Sequence, residues 1–192
     1  EDGKGDYSAE VSVLAAAGGD AVAVIGYLDQ GGKGIIQGSL DSGAFDTFIL
    51  SDGMIGDSLT DTFGKSLNKS FGSLPGSTGK GAGIFAKVAR KAGIDPSGPY
   101  TGESYDAAAL IVLAMQAGGS ADRGSIAKNV MAVANGPGKK IYPGQLKKAL
   151  DLLAKGKAVD YEGATGVTLT DVGEHVGSFL ENEVQGGKFK TK

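Results

Sequence analysis

The chain predicts an α/β fold, a parallel sheet flanked by helices, and three observations carry that prediction. The segments Ala21 to Gly26 (AVAVIG) and Thr47 to Leu50 (TFIL) are short, continuously apolar runs, as expected of strands covered on both faces in a parallel sheet. Gln30 to Gly43, between them, is long enough for the crossover that two parallel strands require. Each run then breaks off into a polar cluster, Tyr27-Leu28-Asp29 after the first and Ser51-Asp52-Gly53 after the second. In a right-handed βαβ unit both clusters emerge at the carboxyl-end edge of one sheet, which is where open α/β sheets bind their ligands. Tyr27, Leu28, Asp29, Ser51 and Asp52 are therefore the candidates for a small-molecule site.

The elements follow in order. Asp6 or Ser8 can cap a helix running to about Ala17, with Val11, Leu14 and Ala15 on one face and Gly18-Gly19 ending it. Strand one begins at Ala21. A second helix carries Ile35, Ile36 and Leu40 inward and stops at Gly43, and strand two ends at the Ser51-Asp52 cluster. Leu59 to Leu67 predicts a short helix, Lys69 to Leu74 a third strand, and Thr78 to Ala92 an amphipathic helix burying Ile84, Phe85, Val88 and Ala89. Composition shifts at the Pro/Gly/Ser-rich stretch Gly93 to Pro99, which reads as a linker or crossing point. Ser104 to Ala117 is apolar on most of its helical surface and reads as buried. Helices are also predicted at Gly124 to Ala134 and at Pro143 to Ala154, the latter with Pro143 in its first turn. Asp160 to Gly166 is helix-poor, Val167 to Thr170 and Ser178 to Val184 are strand-like, and Gln185 to Lys188 reads as a turn.

Composition narrows the class of activity. The 192 residues suffice for one large domain or two small lobes. A net charge of −3 provides no basic face for nucleic acid or acidic lipid, and no apolar run approaches the length of a transmembrane helix. With no Cys and a single His, His175, thiolate metal sites, His-rich zinc sites and Ser-His-Asp triads are hard to assemble. No catalysis, cofactor or metal is expected. The 34 glycines without a strict period suit many tight turns and a core of Ala, Val, Leu and Ile.

Several motifs fail on their spacing. Gly76 to Gly81 evokes a phosphate loop, yet Leu74 stands five before Gly79 and Gly81 follows Lys80 in place of Ser or Thr. Asp2 to Asp6 lacks the ligand spacing of a calcium loop. Within the candidate site, Asp57 or Ser58 is better placed than Asp52 to cap the following helix, which frees Asp52 for another role, whereas Asp29 reads as a cap. Tyr27 reads either as a core aromatic or as a crevice-mouth tyrosine that presents its ring to a ligand.

The order DYSAEVSVL, DAVAVIGY, Ile35 to Gly43, FILSDGM, GIDPSGPYTGESYDAAALIVLAM and VDYEGATGVTLTDVGEHVGSFLENEVQGGKF resembles the second half of the type I periplasmic binding proteins. Within them it is most similar to the branched-chain amino acid and amide receptors of ABC transporters. The resemblance implies an acidic role for Asp52, pairing with a ligand ammonium, and an aromatic-wall role for Tyr27 or its neighbour Leu28. It implies a truncated chain: residues 1–98 and 166–192 would form the second α/β lobe, and 99–165 the helical portion of the first. Hinges would then fall near Asp95 to Thr101 and Gly163 to Val167, and a homodimer of the fragment would cover surfaces left bare.

The resemblance implies a periplasmic or extracellular solute-binding component, closing on an amino acid or related amine-bearing solute and presenting it to ABC permease subunits. A ligand-sensing regulatory or receptor domain on the same scaffold is the alternative.

Overall fold

The structure, a computed structural model, describes residues 3–192. Glu1 and Asp2, where the expected segment 1–98 and the Asp2 to Asp6 turn begin, lie outside the described residues. The elements in chain order are α1 (Ser8–Ala17), β1 (Val22–Val24), α2 (Lys33–Ser42), β2 (Phe48–Leu50), α3 (Asp57–Phe63), β3 (Phe71–Pro75), α4 (Lys80–Lys91), α5 (Thr101–Gly118), α6 (Arg123–Ala134), β4 (Lys139–Ile141), α7 (Leu146–Leu153), β5 (Val159–Tyr161), β6 (Phe179–Gln185) and β7 (Lys188–Thr191). They form two compact units, residues 3–74 with 179–192, and residues 75–178. The fold class is α/β, as the sequence predicts.

The first unit is built on a five-stranded sheet of order β1-β2-β3-β6-β7. Strands β1, β2 and β3 are parallel, and β6 and β7 form an antiparallel hairpin whose Gly186 and Gly187 both have positive φ, as a tight two-residue turn requires. Helix α2 supplies the crossover between β1 and β2. It buries Ile36, carries Ile35 and Leu40 against the same core, and ends where Gly43 turns left-handed at φ 67°. There Gly43 N–H bonds Leu40 C=O and Ala44 N–H bonds Ser39 C=O, each at 3.1 Å, which satisfies carbonyls the helix end would orphan.

The sheet is not covered on both faces. Val22, Val24, Phe48 and Leu50 are buried, whereas Ile25 is 87% exposed, Ile49 43% and Phe71 39%. Ala23, Ile49 and Phe71 stand in register, so an exposed apolar row crosses the three parallel strands. The continuous runs therefore reflect the strand preference of β-branched and aromatic residues rather than the expected two-sided burial. Two caps also differ from expectation. No side chain caps α2 or α3, and Asp29 instead faces Lys33 Nζ at 3.5 Å from an exposed position.

The second unit packs α5 against α6 and α7, with the parallel pair β4-β5 beside them. Asp122 caps α6, accepting from Gly124 N–H at 3.0 Å. Helix α5 buries Ala109, Leu113 and Ala114 but leaves Ile111 48% and Val112 39% exposed, so its apolar surface is only partly covered. Helix α7 begins at Leu146, three residues beyond Pro143, and the expected strand at Val167 to Thr170 is reduced to one bridge, Leu169 to His175.

Asp106 is buried in this unit and its carboxylate gathers donors from the end of β5 and the loop that follows it. It accepts from Tyr161 Oη at 2.8 Å, from the backbone N–H groups of Ala164 and Thr165, and from Thr165 Oγ1 at 2.9 Å. Burial first, and the Asp106 charge second, push the Tyr161 hydroxyl well above its ordinary value, so it stays protonated and donating. Gly163 to Thr165, part of an expected hinge, is therefore firmly held.

The borders of the two units fall at 74/75 and 178/179, where the resemblance implies lobes divided at 98/99 and 165/166. Packing accounts for the difference. Phe85 and Ala89 of α4 cluster with Ala164, and the Phe85 and Tyr105 rings lie 5.3 Å apart, so α4 sides with the helical part. Segment 166–178 does too: Val167 is buried in the α5, α6 and α7 core, and Leu169 N–H donates to Asn135 Oδ1 at 2.9 Å.

Candidate functional site

Adjacent parallel strands place the two polar clusters together. The β1-β2 register pairs Val24 with Leu50, so Tyr27 and Asp52 both follow the carboxyl ends of neighbouring strands. Tyr27 is 65% exposed, and its ring lies against Gly53: a Cβ built there would sit 2.8 Å from the ring and 2.5 Å from the Gly26 carbonyl oxygen. Asp52 is exposed and one of its oxygens accepts from Gly53 N–H at 2.8 Å. The edge thus presents an aromatic face beside a carboxylate, a pairing suited to a small cation with an apolar side.

The other candidates are disposed differently. Leu28 is half-buried and packs on the first unit's core, close to Gly56. Ser51 is half-buried, with its hydroxyl engaged by Gly26 N–H and Gly26 C=O, each at 3.2 Å. Asp29 faces Lys33. Residues 52–54 form one short turn that buries Met54, and Met54 Sδ occupies the space where Gly32 has no side chain. Sequence reasoning passed over Gly53 and Met54, although a Gly directly after a strand-end Asp marks a tight turn.

The discounted motifs are accounted for. Gly79 leads directly into α4, and Lys80 Nζ sits 4.6 Å from the centroid of the Tyr142 ring, a cation–π contact. Among the described residues, no group of three or more His, Cys, Asp or Glu side chains is placed to hold a metal ion. Among the same residues, no helix is long and apolar enough to cross a membrane.

Comparison with known proteins gives the fold a precedent. No protein-family model matches the chain. It is 36% identical over 98 residues, half of this chain and 24% of the other, to the chemotactic signal transduction system substrate-binding protein BasB of Halobacterium salinarum. Among solved structures it is similar to a leucine binding protein LivK from Thermotoga maritima, at TM-score 0.72 and 21% identity, covering 99% of this chain and 48% of that one. A periplasmic binding protein type 1 from Bordetella pertussis matches at TM-score 0.68 and 19% identity, over 99% of this chain and 50% of that one. The chain therefore has the fold of type I periplasmic binding proteins and spans about half the length of those solved chains.

Proposed function

We propose that this chain, with the fold of one half of a type I periplasmic binding protein, holds an amino acid or related amine-bearing solute at the ends of β1 and β2. Asp52 pairs with the solute ammonium and Tyr27 forms the apolar wall, backed by Leu28. The remaining half of the parent supplies partners for the solute carboxylate, and no bond of the solute is made or broken. Outside the cytoplasm, the parent then hands its solute to the permease subunits of an ABC transporter. The observation that carries this reading is the placement of an exposed tyrosine and an exposed aspartate after the carboxyl ends of adjacent parallel strands. Similarity to a chemotactic substrate-binding protein favours a second reading, in which the same site reports to a signal transducer.

Calorimetric titration of the full-length parent with L-leucine and L-valine tests the site. Removing one member of a desolvated charge pair costs about 2 to 5 kcal/mol, so Asp52→Asn is expected to weaken binding at least about tenfold, with the thermal midpoint nearly unchanged. Asp29→Asn should leave affinity as it is. Equal affinity for Asp52→Asn and the unmodified parent would remove the aspartate from the site and the amine from the ligand class.

A further inference from the structure

The last rung between β1 and β2 is made by a side chain. Ser51 N–H donates to Val24 C=O at 3.1 Å, and the regular continuation of a parallel ladder is Gly26 N–H donating to the Ser51 carbonyl. That carbonyl instead accepts from Met54 N–H at 2.9 Å, closing the turn. Ser51 Oγ substitutes for it, accepting from Gly26 N–H and donating to Gly26 C=O, both at 3.2 Å. Gly53 approaches the same peptide so closely that a Cβ would lie 2.5 Å from Gly26 O and 2.8 Å from the Tyr27 ring. The sheet uses a serine in this way elsewhere: buried Ser70 accepts the Phe48 N–H on its Oγ at 3.0 Å.

We infer that Ser51 and Gly53 are positioning residues, clasping Gly26 from two directions and so fixing the separation of Tyr27 from Asp52, while Ser51 makes no contact with the solute. The inference rests on the proposed function for the roles of Tyr27 and Asp52; the clasp itself needs no ligand. Its physical purpose follows from the turn. Strand β2 must leave the ladder at Ser51 to direct Asp52 outward, and without a substitute acceptor the Gly26 amide would lose its partner and Tyr27 its anchor. The hydroxyl keeps the two ends together, so the half-site is ordered before a solute arrives and less ordering cost is charged against binding.

Two measurements decide it. In the ligand-free 192-residue chain, Ser51→Ala is expected to speed amide hydrogen exchange at Gly26 about tenfold, with Phe48 and Leu50 unaffected and the Tyr27 ring resonances shifted. Ser51→Thr, which keeps the hydroxyl, should restore the slow exchange, and Gly53→Ala should move the Tyr27 resonances by displacing the ring. In the full-length parent, L-leucine affinity should fall about three- to tenfold for Ser51→Ala and recover in Ser51→Thr. Unchanged Gly26 exchange in Ser51→Ala would overturn the clasp, and lost affinity alongside unchanged exchange would place Ser51 on the solute. If the unmodified parent takes no leucine, the proposed function fails while the exchange result still decides the clasp.

Discussion

Tyr161 ties the second unit's stability to pH in one direction. Its ordinary value is 10.0 and burial raises it in the folded chain, so on the alkaline side the unfolded state loses its proton first. The stability Tyr161 contributes is complete below about pH 10 and is lost as pH climbs beyond it. Tyr161→Phe gives up the bond to Asp106, worth about 1 to 2 kcal/mol at neutral pH. The difference in urea midpoint between the two proteins should therefore shrink from pH 8 to pH 11, and a constant difference would contradict the account. At this scale the sequence shows which residues stand at the sheet edge but not what each side chain bonds. Tyr27 and Asp52 follow apolar runs and could be located. The engagement of Ser51 with Gly26, 25 positions away, depends on strand register, which no local pattern states. The assignment of Asp29 as a cap failed for a similar reason: the chain winds through Leu28–Gly32 in a distorted turn, with Gly31 at φ 103°, before α2 begins.

Helix α4 is docked through a glycine. A side chain at Gly81 would overlap the carbonyl oxygen of Gly163, in the loop that Asp106 holds. Neither backbone can yield without breaking that set of bonds. Gly81→Ala is therefore expected to destabilise the second unit by about 1 to 3 kcal/mol, read as a lower urea midpoint. The neighbouring Gly83 has open space around it, and Gly83→Ala should be neutral or mildly stabilising. Elements of this kind were legible where periodicity and stop signals agree, as for α2 with Ile36, Leu40 and Gly43. Strands β4 and β5 were not. Each has three residues, and two of those in β4 are lysines, so their pairing rather than their composition makes them strands. Pro143 drew the start of α7 too early because a favourable first-turn residue can equally stand in the preceding turn.

Across the whole molecule, the order of runs and breaks was enough to reach the fold, since parallel β/α units announce themselves through crossover length. Coverage of the sheet was harder to read. Burial of Val22, Val24, Phe48 and Leu50 and exposure of Ile25, Ile49 and Phe71 look alike in a list of apolar residues. The division into units likewise depends on which neighbours Phe85 and Val167 find. The described ion pairs lie at the surface with at least partly exposed side chains, where such pairs contribute little and salt screens them. Asp106 differs in kind. Among the described residues it forms no ion pair, and its negative charge is balanced by hydroxyl and amide dipoles alone. Its burial keeps mobile ions away, and with no described cationic side chain paired to it there is no ion pair for them to weaken. Raising sodium chloride to about 0.5 M should therefore leave the urea midpoint nearly where it was, whereas Asp106→Asn, which replaces an acceptor with a donor facing donors, should lower it at every ionic strength. Asp106, a charge held by five hydrogen bonds, thus sits where the composition of the surrounding water does not alter it.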